Sequence, residues 1–150
     1  MLNNLTQNIY ERSEADGLYE ESSLERDVVQ QVLAMLQQDY KFAKQLRIDK
    51  SPRWRIIFNA HYDIFRELCD LLLLFKGRKT SNHQAVFVFI VIYFPELELD
   101  WEILESIRKM RNESKYDGKD ITLAIWKSIE LYFELYISAV QKKVEELLQE

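Results

Sequence analysis

The chain has 150 residues, 47% of them hydrophobic and 30% charged, which is enough for one well-buried core and too few for two comfortable domains. Its 20 Lys and Arg against 25 Asp and Glu give a formal net charge of −5, which argues against a surface that coats nucleic acid all round and leaves room only for local basic patches. Only 3 Gly and 2 Pro occur, too little turn chemistry for a many-stranded sheet, and the single Cys69 excludes an intramolecular disulfide and a Cys-based zinc site.

Residues 1–21 are polar, broken at Ala15-Asp16-Gly17, and read as a flexible or partly helical arm. They have neither the basic start nor the apolar core of a signal peptide, and no apolar stretch in the chain reaches membrane-spanning length, so a cytoplasmic protein without membrane contact is expected. The helical domain is placed at 22–150. Ser22-Ser23-Leu24-Glu25 has the spacing of a capping box, and Val29, Val32, Leu33, Leu36, Tyr40 and Ala43 keep helical period to about Leu46. Ser51-Pro52 predicts the start of a second helix, with Ser as cap and Pro at the first helical position, and Gly77 predicts its end. That helix is apolar on most sides and belongs in the centre of a bundle.

Val86-Phe87-Val88-Phe89-Ile90-Val91-Ile92-Tyr93 has the composition of a buried strand, but a lone strand cannot satisfy its own backbone and no second such segment exists. It therefore reads as a short buried helix capped near Ser81 and ending at Phe94-Pro95. A further helix is predicted from about Asp100 to Lys115. The last runs from about Asp120 to the C-terminus, with Ile125, Ile129, Tyr132, Tyr136 and Val140 facing in. The expected fold is an all-α, up-and-down helical bundle of about five helices.

Basic residues gather in three places: Lys41 to Arg55, Lys76 to Lys79, and Arg108 to Lys119. Cations at helix C-termini are the ordinary explanation of any one cluster; converging clusters would instead form an anion-binding surface on an acidic protein. Arg111 is the most informative of these residues. Leu104, Ile107 and Arg111 share one face of their helix, so the apolar stripe carries the guanidinium inward or into a cleft. There it needs a carboxylate or carbonyl partner, or it stands ready for a phosphate. Of the two histidines, His61 lies on the apolar stripe of the second helix and reads as a hydrogen-bonded core residue, whereas His83 follows a basic loop and reads as partly exposed. The ligand count is too low for a metal, and Lys76-Gly77-Arg78-Lys79-Thr80-Ser81 lacks the second Gly and the preceding strand of a nucleotide phosphate loop. No metal and no cofactor are expected.

Tyr62 and Phe65 in a long apolar helix, then Gly77-Arg78-Lys79-Thr80-Ser81-Asn82-His83-Gln84-Ala85, then Arg111-Asn112 with Tyr116-Asp117-Gly118, and finally a long C-terminal helix, together resemble the HEPN superfamily over roughly residues 24–148. HEPN domains are small helical bundles of prokaryotic defence and toxin-antitoxin systems. The resemblance implies an RNA-directed protein, a candidate metal-independent endoribonuclease toxin or defence effector. It implies Arg111, Asn112 and Tyr116 as catalytic positions, and Lys79, His83, Arg108 and Lys115 as substrate-binding ones. Tyr116 stands where HEPN ribonucleases carry a His, so the motif is degenerate. A phenol, titrating near 10, suits hydrogen bonding or base stacking better than general base work. The alternative is a non-catalytic nucleotide- or RNA-binding module, or a partner of a nucleotidyltransferase antitoxin. The resemblance also implies a homodimer with the two Arg motifs in one cleft, an expectation joined to the large apolar content of the second and third predicted helices.

Overall fold

One helix that is apolar around most of its circumference organises the molecule. The computed structural model, which describes residues 4–150, is an all-α bundle of six helices among those residues: α1 (Asn4–Ala15), α2 (Arg26–Leu46), α3 (Trp54–Phe75), α4 (His83–Tyr93), α5 (Trp101–Tyr116) and α6 (Leu123–Leu148). A 3-10 turn at Pro95–Leu97 joins α4 to α5, and a two-residue antiparallel ribbon pairs β1 (Glu20–Glu21) with β2 (Arg78–Lys79). α3 buries eleven residues, from Ile57 to Leu73, and α2, α4, α5 and α6 all pack around it.

The segment with strand composition is a helix, as expected. Ala85 to Ile90 are all buried in α4, and Asn82 rather than Ser81 caps it, its Oδ1 accepting from the Ala85 N–H at 2.9 Å. Asp100 caps α5 by accepting from the N–H groups of Glu102 and Ile103, and Thr122 caps α6. α3 ends at Phe75, and Gly77 takes the left-handed conformation (φ +73°) that turns the chain away, the role predicted for it.

Two predicted helix starts are corrected. The capping box at Ser22–Glu25 does not form: α2 begins at Arg26, and Ser22 instead donates its N–H to Gly77 O at 2.9 Å, continuing the ribbon that holds this stretch extended. Ser51-Pro52 does not open α3 either, because Arg53 is extended and the helix starts at Trp54, whose ring stacks on Trp126 of α6 at 6.0 Å. On α6 the inward face is Trp126, Ile129, Phe133, Tyr136, Ile137, Val140 and Val144, while Ile125 and Tyr132 sit at its edge.

Residues 1–3 of the expected N-terminal arm lie outside the described residues. Of the rest, Asn4–Ala15 form helix α1 laid against α4, with Thr6 and Ser13 buried, and a turn leads from it to β1. Aromatic contacts hold it: Tyr10 meets Tyr19, Phe89 and Tyr93, and Tyr19 donates its hydroxyl to Ala85 O at 2.7 Å. A helix docked by aromatic edges and hydroxyls carries little aliphatic periodicity, which is why composition alone made this segment look like an arm.

His61 is fully buried, as its place on the apolar stripe predicts. Its Nδ1 lies 2.7 Å from Ile57 O, and Arg47 donates Nε–H to its Nε2 at 3.2 Å while also binding Glu134 at 2.6 Å. Burial, above all, lowers the His61 pKa to about 4. The unfolded chain thus takes up this proton first as pH falls. The stabilisation from neutral His61 is complete above about pH 6.5 and is lost as pH falls towards 4, amounting to at most about 3 kcal/mol at 1.36 kcal/mol per pKa unit. Asp70, raised to about 6 mainly by burial, acts oppositely, since its stabilisation is complete below its ordinary value and is lost as pH rises through 6. Between pH 7 and pH 4.5 the urea midpoint is therefore expected to shift downward clearly more for the wild type than for His61→Gln, in which only the opposing Asp70 contribution of this pair remains.

Candidate functional site

The N-terminus of α4 points at the second half of α5, and the two elements enclose a polar cleft of about 380 Å³ lined by Ser81, Asn82, His83, Gln84, Arg108, Arg111, Asn112 and Tyr116. Both sides follow from local sequence. Asn82 ends the loop and starts α4, while the stripe Leu104, Ile107 and Arg111 turns from buried to half-buried as α5 runs out past the core. Asn82 satisfies the Ala85 N–H, and among the described residues the N–H groups of His83 and Gln84 meet no protein acceptor, so the first turn of α4 presents two donors.

Arg111 occupies the middle of the cleft. Its guanidinium carbon lies 5.5 Å from the ring centroid of Tyr62 and 5.8 Å from that of Tyr116, so the cation sits between two aromatic faces. Nη1 donates a long hydrogen bond to Asn112 Oδ1 at 3.4 Å, and Nε is buried without an acceptor. No carboxylate of the described residues forms an ion pair with it. The two environments left open for this residue are thereby separated: it is held by rings and an amide, with its charge uncompensated.

His83 stands on the opposite wall, where its Nδ1 and the Tyr62 hydroxyl share a hydrogen bond of 2.9 Å. Burial lowers the His83 pKa first, and the charges of Arg66, Arg111, Arg108 and Lys115 add to it, bringing it to about 4. Burial raises the Tyr62 phenol, against the pull of Arg111, Arg108 and Arg66, so at neutral pH both partners of this bond are uncharged. Arg108 lines the cleft but is already committed. Its Nε and Nη2 reach the two oxygens of Glu105 at 2.6 and 3.1 Å, and Gln84 donates to the same carboxylate at 2.6 Å. Burial raises the Glu105 pKa, but those donors outweigh it and hold the carboxyl below its ordinary value.

Five of the seven residues expected from sequence thus line one cleft, with a sixth near it. Arg111, Asn112, Tyr116, His83 and Arg108 line the cleft, and Lys115, exposed on the same helix end, acts on His83 through its charge. Lys79 does not belong with them: it lies on β2, where it faces Glu20 at 3.7 Å. Arg78 beside it pairs with Glu14 of α1 at 3.7 Å, and Lys76 lies over the Phe94 ring at 5.3 Å, so the basic cluster at residues 76–79 is engaged away from the cleft. Tyr62 and Arg66 have roles that sequence patterns missed, the first as the platform under Arg111 and the partner of His83, the second as a cation felt by His83. Their spacing of four on α3 was the available signal.

Tyr116 is 72% exposed, so its outer ring face is open to solvent while Arg111 lies near its ring. Among the described residues no group of three or more His, Cys, Asp or Glu side chains is arranged to hold a metal ion, and no helix is long and apolar enough to cross a membrane. A larger groove of about 470 Å³ between α1 and α5, lined by Leu5, Ile9 and Trp101 among others, lacks this convergence of guanidinium, imidazole and phenol groups. Comparison with family models, curated proteins and solved structures returns no match to the chain.

Because Arg111 neutralises no partner, Arg111→Ala is expected to change stability by less than about 1 kcal/mol in urea unfolding. Arg108→Ala strands Glu105, whose side chain is only 15% exposed, and is expected to cost about 2 kcal/mol in the same measurement.

Proposed function

We propose that this chain is an RNA-directed, HEPN-like protein whose cleft grips a backbone phosphate of single-stranded RNA, with metal-independent endoribonuclease chemistry as its candidate activity. The observation that carries this reading is the uncompensated Arg111 guanidinium, set between two tyrosine rings beside the open first turn of α4. A phosphate supplies the counter-charge that the Arg111 guanidinium lacks, and the N–H groups of His83 and Gln84 offer further donors. The open face of Tyr116 suits an unpaired base, which a duplex would keep stacked internally.

Cleavage without metal needs the 2′-hydroxyl proton passed to a base, attack of the 2′-oxygen on phosphorus, departure of the 5′-oxygen with a proton, and a fixed cation beside the phosphorane. Arg111 suits the last role and Asn112 holds Arg111. Proton transfer falls to His83 rather than Tyr116, since His83 faces the same cleft with an imidazole already oriented by Tyr62. The cations that lower its pKa also favour an anion, and a bound phosphate in turn raises that pKa towards neutrality, so cleavage is expected to be slow and to depend on a well-seated strand.

The second reading is a non-catalytic nucleotide- or RNA-binding module, alone or as the partner of a nucleotidyltransferase, and the His83 pKa of about 4 favours it. The homodimer belongs to the proposal through the resemblance alone. The apolar surface of the two helices that suggested it, now α3 and α4, is mostly buried within the chain.

The test uses labelled single-stranded RNA in EDTA. Arg111→Ala is expected to weaken binding at least tenfold, and Tyr116→Ala severalfold, with stability preserved. Slow cleavage is expected to disappear in His83→Ala and to persist in Tyr116→Phe. Binding without cleavage selects the second reading, and unchanged binding by Arg111→Ala overturns both. Light scattering tests the dimer, for which twice 18.1 kDa is expected.

A further inference from the structure

α2 carries a second apolar seam that the fold does not use. Val28, Val32, Met35, Asp39, Phe42 and Leu46 follow one another at alternating steps of four and three, the spacing of a helix that packs on another helix. The core of this bundle takes a different face, through Val29, Leu33, Leu36 and Ala43. Val28, Met35 and Phe42, one heptad apart, are 46%, 57% and 64% exposed, with Val32 between the first two and Leu46 beyond the last, both at the core's edge. Three apolar side chains at such spacing on one exposed face are not scattered surface residues; they are the anchor pattern of helix-on-helix docking.

The flanks of the seam state what it would accept. On its far side lie Gln31, Gln38 and Gln45, all exposed and uncharged. On its near side α3 carries Asp63, Glu67 and Asp70, all partly exposed, on the same helical face as the exposed Ile56. Burial raises the Glu67 pKa, Arg66 pulls it back, and Asp63 and Asp39 raise it again, so these carboxylates sit within reach of one another's charge. Arg66 is the cation among them, and it is bound to Asp70 at 2.6 Å. Asp39 itself occupies a seam position, where a partner must supply a donor or a cation, and such a position fixes register between docked helices.

We propose that the outer seam of α2 and the acidic strip of α3 form a docking surface for a cationic amphipathic helix of a partner protein. Leu- or Ile-type anchors would cover Val28, Met35 and Phe42, and a Lys or Arg would meet Asp39 and Glu67. A second copy of this chain fits less well. The seam of a second copy carries Asp39 and no Lys or Arg to meet it, and the chain's own basic helix end on α5 buries its apolar side in the core. The surface is distinct from the Arg111 cleft, so the fate of this proposal does not depend on the RNA reading.

A fluorescent model helix of about 20 residues, built only from Leu at seam positions and Lys elsewhere, is the probe, read by anisotropy. Wild type is expected to bind it with a micromolar Kd and to ignore the same peptide with Glu in place of Lys. Met35→Lys/Phe42→Lys and Asp39→Lys are each expected to weaken binding tenfold or more. Leu131→Lys/Leu135→Lys, the same charge change on the exposed face of α6, is expected to stay within about twofold. These positions are exposed, and unchanged circular dichroism is the check that each variant folds. Equal losses from the α6 variant, or no binding by the wild type, would overturn the proposal. So would a wild-type dimer that becomes monomeric in Met35→Lys/Phe42→Lys, since the second copy would then be the occupant.

Discussion

A helix that is apolar on three sides has to be wrapped, and wrapping α3 dictates where everything else in this molecule lies. α2, α4, α5 and α6 each take part of its circumference, and the aromatic set Phe58, Tyr62, Phe65, Trp126 and Phe133 fills the space between. Burying such side chains stabilises the fold by roughly 1.5–3 kcal/mol each before conformational entropy is set against it, which is why α3 cannot be moved without losing the bundle. The strip that remains least covered holds Asp63, Arg66, Glu67 and Asp70, charged residues left half-buried at its edge.

The cleft is a consequence of that packing. α4 is too short to cover all of α3, so its first turn ends against the middle of α3, where Tyr62 reaches His83. α5 arrives from the other side and runs past the core, which leaves Arg111 half-buried beyond Ile107. Neither helix contains the site. It exists because a helix N-terminus, a phenol and a guanidinium are brought to one place by elements whose lengths were set by core burial.

Charge within the site follows a simple division. Arg108 is neutralised by Glu105 and Arg66 by Asp70, while Arg111 and Lys115 form no ion pair among the described residues. The unpaired cations leave the cleft a positive balance, and His83, whose pKa is lowered first by burial, feels all four cations, paired and unpaired. An acidic chain thus maintains one locally basic concavity. Across α3 the sign reverses, with Asp39 and Glu67 beside the exposed apolar side chains of α2.

Much of this was legible without coordinates, because periodicity reports burial. The central place of α3, the core role of His61 and the inward turn of Arg111 follow from the repeat of apolar residues, the all-α class from that repeat and the scarcity of Gly and Pro, and the helical state of the strand-like segment before Pro95 from the lack of a second strand to pair with it. The capping box at Ser22 and the start at Ser51-Pro52 were misleading, since a ribbon to β2 and the stacking of Trp54 on Trp126 act over distances that local motifs do not encode. The docking of α1 was hidden for the same reason, resting on aromatic edges to α4 rather than on a stripe of its own. Within the site, the sequence by itself determined which side chains carry charge or a ring. Only the tertiary structure decided that Lys79 belongs to Glu20, that Arg108 belongs to Glu105, and that Arg111 is left without an acid. A residue's partner is set by which elements meet, and that is fixed by the packing of the whole core rather than by its neighbours in the chain.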